Sequence, residues 1–259
     1  MTRSVNEAEE EYVEAIIERH GFLEHQRSGA WQAPTLVREF TLRPGGRRLD
    51  PRTGTADATR TDIGTRWRTS RFLMLLGDPG MGKSTTLRHL LLDIARAQVG
   101  PRTHVPYLVS LAHSRGTASL NDAETLPSLV WSTLESRWNS DASRRVFDRA
   151  LLEGRAAFLI DDFDSLPEPR SSFARLASDF CRTEGARGNR LAITSRVPEF
   201  LADRRDFVGF EEYSLAGFTD EDIVRFVSGS ADFGETPEER DAELLIRAIL
   251  DDQDLRELA

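Results

Sequence analysis

Apolar residues in this chain gather in short blocks separated by longer amphipathic stretches. Between Asn6 and Arg19 the apolar positions are Ala8, Tyr12, Ala15, Ile16 and Ile17, a helical stripe among glutamates that Gly21 is expected to end. A short extended piece follows at Leu36–Leu42. The blocks Phe72–Leu76, Pro106–Leu111, Ala156–Ile160, Leu191–Thr194 and Glu212–Leu215 read as buried strands. Helical patterns stand between them, at Lys83–Gln98, Leu126–Trp138, Asp141–Leu152 and Ser171–Cys181. Strands alternating with helices predict an α/β fold with a parallel sheet covered on both faces. Beyond residue 217 only helical patterns remain. Thr219 and Asp222 form a capping box ahead of Ile223, Val224, Phe226 and Val227. Thr236-Pro237 opens a further helix carrying Leu244, Leu245, Ala248 and Ile249. The organisation expected is an N-terminal helix and lead-in strand (1–42), an arginine-rich loop (43–70), an α/β core (71–217) and the start of a helical domain (218–259).

Composition narrows the class of protein. The 259 residues are 39% hydrophobic and 30% charged, enough for a core of good size. No apolar run reaches the length of a membrane span, and the first residues show no secretory signal. A single cysteine, Cys181, excludes an internal disulfide framework, and five scattered histidines offer no zinc spacing. A cytoplasmic location is expected. The net charge of −9 argues against nucleic acid as a partner. One local exception is Arg43–Arg71, with eight arginines against three aspartates, read as a solvated loop. Of the 34 basic residues, Lys83 is the one lysine. A compact ammonium on a flexible stem fits among crowded phosphates where a planar guanidinium does not.

Lys83 lies in Gly77-Asp78-Pro79-Gly80-Met81-Gly82-Lys83-Ser84, a match to G-x-x-x-x-G-K-[ST]. In such a P-loop, backbone amides and a helix N-terminus surround phosphate, the lysine reaches the β- and γ-phosphates, and the Ser84 hydroxyl ligates Mg²⁺. Chance produces such a match in a chain of this length in about one case in a hundred, and a strand before it and a helix after it lower that further. The second motif is Phe158-Leu159-Ile160-Asp161-Asp162-Phe163-Asp164. A buried strand running into acids delivers carboxylates to the sheet edge where α/β proteins bind ligands. Asp161 is the candidate Mg²⁺ ligand, and Asp164 the candidate for orienting or deprotonating water. The third is Leu191-Ala192-Ile193-Thr194-Ser195-Arg196. Arg196 leaves the same edge, where it either contacts a γ-phosphate or merely caps a strand end at the surface.

Taken in order, LLGDPGMGKSTTLRHLL, VPYLVSLA, LLEGRAAFLIDDFDSLPE, RLAITSRVPEF and YSLAGFTDEDIVRFV resemble the NACHT branch of the STAND class of P-loop NTPases, over about residues 70 to 230. EEYVEAIIERHGFLE also resembles the helix leading into bacterial members. The resemblance implies a three-layer α/β/α sandwich with strand order 5-1-4-3-2, followed by a small helical domain. It implies ATP/ADP and Mg²⁺ as ligands, an ADP-bound resting form, and self-association when ATP replaces ADP, in signalling or defence. It assigns the phosphate loop to Gly77–Thr85, the Walker B acids to Asp161 and Asp164, and the sensor arginine to Arg196. Effector and sensor domains, which such proteins carry, are expected to lie outside this chain. One departure bears on mechanism. The family commonly reads Asp-Gly-x-Asp-Glu where this chain has Asp161-Asp162-Phe163-Asp164-Ser165, so hydrolysis is expected to be slow and to rest on Asp164. The Asp161-Asp162 pair is similar to the related NB-ARC branch.

Two other functions compete with a switch. A AAA+ motor or P-loop kinase would turn over quickly, and a kinase needs a phosphate-binding lid, for which the arginine-rich stretch ahead of the P-loop is wrongly placed. A scaffold that keeps ADP and never turns over is the alternative that Ser165 favours.

Overall fold

The computed structural model describes residues 4–25, 36–39, 60–96, 104–112, 120, 123–134, 138, 140–168, 170–215, 224 and 237–251. Helix α1 (Val5–His25) is followed by strands β1 (Leu36–Glu39) and β2 (Arg60–Asp62) and helix α2 (Ile63–Thr69). The alternating region comprises β3 (Phe72–Leu76), α3 (Lys83–Ala95), β4 (Val105–Ser110), α4 (Leu126–Thr133), α5 (Asp141–Leu152), β5 (Ala156–Asp161), α6 (Ser171–Thr183), β6 (Arg190–Ser195), α7 (Val197–Asp203) and β7 (Glu211–Leu215). Helix α8 (Pro237–Asp251) begins on the proline that the sequence marks as a first helical residue. The rest of the stretch from 216 to 236 lies outside the described residues apart from Val224, so the capping box at Thr219 is not described.

The seven strands form one sheet in the order β2-β1-β7-β3-β6-β5-β4. Five of them, β7-β3-β6-β5-β4, are parallel, and numbered among themselves they run 5-1-4-3-2 as expected. The α/β P-loop NTPase architecture is thus present, extended by β1 and β2, which add antiparallel strands beyond β7. The strands of the parallel core are buried almost throughout: Leu73, Met74, Leu75, Phe158, Leu159, Leu191, Ala192 and Ile193 have no exposed surface. Each large apolar side chain so buried contributes about 1.5–3 kcal/mol before entropy is set against it.

Two expectations fail here. Gly21 does not end α1, which runs on to His25. A Cβ at Gly21 would meet only an Arg96 guanidinium nitrogen at 3.6 Å, ordinary van der Waals contact, and a glycine inside a helix costs about 1 kcal/mol, which the packing of α1 on α3 and α5 outweighs. The arginine-rich stretch is not loop throughout: residues 60–69 form β2 and α2, while 43–59 lie outside the described residues. Packing decides this. Trp67 is fully buried, and the Arg190 guanidinium, itself 6% exposed, donates to the carbonyls of Trp67 and Ser70 at the helix's C-terminal end.

Strand β4 is the far edge of the sheet. The amides of Val105 and Leu111 donate toward β5, to Arg155 O and Asp161 O, so alternation turns Pro106 outward, where its missing N–H costs nothing. The Tyr12 hydroxyl donates to the outward carbonyl of Pro106 at 3.0 Å. Helix α1 packs against β4, α3 and α5, and its Glu9 takes both Arg155 Nη1 and Nη2, at 2.7 and 2.9 Å.

Candidate functional site

In register, Leu76 lies beside Ser195 and Ile160 beside Ile193. Strands β3, β5 and β6 therefore deliver their C-terminal residues to one edge of the sheet. The glycine-rich loop, the acids after β5 and Arg196 all leave the sheet there.

The loop is shaped by its glycines. Gly80 and Gly82 have φ of 84° and 80°, a region that costs other L-residues about 1–2 kcal/mol. Nothing crowds either position within 4 Å, so the backbone conformation alone calls for glycine. Gly82 is the N-cap of α3 and offers no side chain to cap it. The first helical hydrogen bond is Thr86 N to Gly82 O at 2.8 Å. The amides of Lys83, Ser84 and Thr85 are consequently left without intrahelical acceptors at the positive end of a 13-residue helix, which suits an anion. The Lys83 ammonium folds back over the loop, donating to Gly77 O at 2.8 Å and Asp78 O at 3.0 Å. Asp78, Pro79, Gly80 and Thr85 are exposed, while Met81, Gly82, Lys83 and Ser84 are half-buried.

The acids are held more tightly than the sequence suggests. Asp161 closes β5 at 6% exposure, and its Oδ1 accepts from the Thr194 hydroxyl at 2.5 Å. Its Oδ2 stays uncommitted among the described residues. Asp162 has φ 64° and ψ 45°, and it alone among the described non-glycine residues has a positive φ. Aspartate tolerates this region better than most side chains, which explains how it fills a position where the resemblance leads one to expect glycine. Its amide donates to Thr194 Oγ1 at 3.0 Å, and its Oδ2 accepts from the Ser110 hydroxyl at 2.9 Å. Burial pushes the Asp162 carboxyl up, and the neighbouring Asp161 adds to this; Ser110 opposes it, Asp164 raises it and Lys83 lowers it. Asp164 is paired with Arg196, which leaves Asp161 and Asp162 crowded side by side near Lys83, an arrangement that a divalent cation relieves. No cluster of three or more acidic, histidine or cysteine side chains among the described residues could hold a metal by itself. Mg²⁺ characteristically takes one or two protein oxygens and the rest from phosphates and water.

Asp164 sits in a short 3₁₀ turn, Phe163–Ser165, and is joined to Arg196 twice. Its Oδ1 accepts from the Arg196 backbone amide at 3.1 Å, and its Oδ2 lies 2.9 Å from Nε of the same residue. The Arg196 side chain is 49% exposed and that of Asp164 10%. Ser165 is exposed, and its hydroxyl closes the turn by donating to Asp162 O at 2.7 Å.

All three sequence motifs thus meet on one edge. Three residues to which the sequence reading gives no role also meet there: Thr194, Asp162 and Ser110. Thr194 stands out as a polar residue directly after the apolar run Leu191–Ile193, and Asp162 is the departure from glycine set out above. Ser110 gives no such signal. A cavity of about 410 Å³ between α4, α5 and α6, lined in part by Ser128, Phe147 and Phe180, contains none of these residues.

The family model for the NACHT domain matches residues 71–231, more than half of the chain and all three motifs. The chain belongs to the NACHT family. It is therefore a P-loop NTPase module that binds nucleotide, and the family typically binds it with Mg²⁺. A search of curated proteins gave no match. Among solved structures, Cdc6p from Pyrobaculum aerophilum is similar at 20% identity and TM-score 0.39, covering 61% of this chain and 42% of that one. C. elegans PCH-2 is similar at 16% identity and TM-score 0.38, covering 61% of this chain and 38% of that one. The NACHT chain spans less than half the length of either. No helix among its described residues is long and apolar enough to cross a membrane.

Proposed function

We propose that this NACHT module is an ATP/ADP switch of the STAND class that hydrolyses ATP slowly and self-associates within a cytoplasmic signalling or defence protein. Gly77–Thr85 hold the phosphates, with the Lys83 ammonium moving from two loop carbonyls to β- and γ-phosphate oxygens. Ser84 and Asp161 hold Mg²⁺, which when bound offsets the charge of the phosphates. Asp164 orients the attacking water, and Arg196 reports the γ-phosphate. The boundary at residue 217, with α8 belonging to a following helical domain, is part of the same proposal.

The observation that carries a switch over a motor is the mutual engagement of Arg196 and Asp164. A guanidinium bound to the acid cannot use the same Nε on a phosphate. We take the pair to exchange between two arrangements, the guanidinium on Asp164 or on a γ-phosphate, which the nucleotide biases. The test is to purify the protein, identify the nucleotide carried with it and measure steady-state turnover. Retained ADP with turnover below about one per minute is expected, against roughly 1–100 s⁻¹ for kinases; turnover in the kinase range would contradict the proposal. The second reading, a scaffold that holds ADP permanently, is favoured by Ser165, whose hydroxyl is spent on its own turn. Retained ADP with no turnover at all would select it.

A further inference from the structure

We propose that Thr194 is the positioning residue for the magnesium-ligating carboxylate of Asp161 and ties that carboxylate to the strand that carries Arg196. The proposal rests on the assignment of Asp161 to Mg²⁺ made above.

Thr194 is fully buried in β6, directly after the buried apolar run Leu191–Ile193. A hydroxyl in such a place costs free energy unless it is bonded. This one is bonded on both sides. It donates its proton to Asp161 Oδ1 and accepts the amide proton of Asp162, at 2.5 and 3.0 Å. The first bond matters because the terminal torsion of an aspartate is broad and the carboxylate otherwise rotates. Fixing Oδ1 from the β6 side leaves Oδ2 as the oxygen free to meet a cation. The second bond satisfies an amide of the left-handed turn that sends the chain from Asp161 toward Asp164. Two residues beyond Thr194, Arg196 binds Asp164. The end of β6 therefore grips the acid segment at Asp161, Asp162 and Asp164, and one strand end positions both the metal ligand and the sensor pair. Partners of this kind behind a metal ligand typically change metal affinity by about 10–100-fold when removed.

The test uses the full chain with ADP, once in chelator and once with Mn²⁺, whose binding is read by electron paramagnetic resonance. Thr194→Val removes the hydroxyl at nearly constant shape, and Thr194→Ser keeps it. Thr194→Val should weaken Mn²⁺ binding to the ADP complex by about 10–100-fold, while metal-free ADP affinity and the Mn²⁺ affinity of Thr194→Ser stay within about 3-fold of the parent. Unchanged Mn²⁺ affinity in Thr194→Val would overturn the proposal. So would an equal loss of metal-free ADP affinity, which marks a merely structural role. Should the valine protein fail to fold, the serine variant decides alone: retained affinity supports the proposal, and a tenfold loss overturns it. A parent protein that binds ADP with no Mn²⁺ dependence would refute instead the assignment of Asp161 to the metal.

Discussion

Removing the Arg196 guanidinium should separate ATP from ADP affinity. Arg196 rests on Asp164, with Nε 2.9 Å from Oδ2 and its amide 3.1 Å from Oδ1. The guanidinium is 49% exposed, so solvent screens the pair and the side-chain contact is worth about 0.5–1 kcal/mol. A charge-assisted hydrogen bond to a phosphate contributes about 1.5–3 kcal/mol. Moving the guanidinium from acid to γ-phosphate therefore yields about 1–2 kcal/mol, or about 5–30-fold in affinity. ADP offers no γ-phosphate and gains nothing from the move. Arg196→Ala should weaken binding of a slowly hydrolysed ATP analogue by about that factor and leave ADP within about 2-fold, measured by titration calorimetry in Mg²⁺. Asp164→Asn releases the guanidinium from its acid, so it should tighten the ATP analogue slightly while lowering turnover. Equal loss for both nucleotides in Arg196→Ala, or weaker analogue binding in Asp164→Asn, would refute the exchange.

Two further predictions concern stability. Asp162 has its carboxyl pushed up in the folded protein, so the native state holds its proton to higher pH than the unfolded chain does. Its ionisation then lowers stability as pH rises through the carboxylate range, and the penalty persists at neutral pH. Asp162→Asn, which tolerates the same backbone region and can still accept from Ser110, should melt higher than the parent at about pH 7, with the advantage shrinking toward about pH 4; a constant difference across pH would contradict this. Two buried tyrosines where α1 meets β4, Tyr12 on the helix and Tyr107 on the strand, should respond differently to loss of their hydroxyls. Tyr12→Phe strands the Pro106 carbonyl and should cost about 1–2 kcal/mol in urea denaturation. Tyr107, whose buried hydroxyl has no partner among the described residues, should be unharmed or stabilised as phenylalanine.

Much of the site was legible in the sequence because it depends on local chemistry. A P-loop declares itself through glycines that need positive φ and a lysine among them, and buried parallel strands declare themselves as unbroken apolar runs such as FLMLL and AAFLI. Strand order came from family resemblance, not from periodicity. What escaped notice depends on partners remote in sequence. Helix α2, IGTRWRT, has little intrinsic helical tendency and only two large apolar residues, Ile63 and Trp67; it is held by the Arg190 guanidinium, 123 residues from Trp67. The role of Thr194 becomes visible only once β5 and β6 lie side by side, since its partner Asp161 is 33 residues away. The extent of α1 past Gly21 likewise follows from its packing on α3 and α5, which lie remote in sequence.

The central claim is that the loop from Gly77 to Ser84 binds nucleotide phosphates through Lys83, and titration of ADP into the parent protein and Lys83→Ala tests it most directly. The ammonium gives up two carbonyl bonds, at 2.8 and 3.0 Å, for bonds to phosphate. A net loss of about 3 kcal/mol, or at least about 100-fold in affinity, is predicted for the alanine variant, with its thermal unfolding still cooperative. A folded Lys83→Ala protein that binds ADP as tightly as the parent would contradict the account.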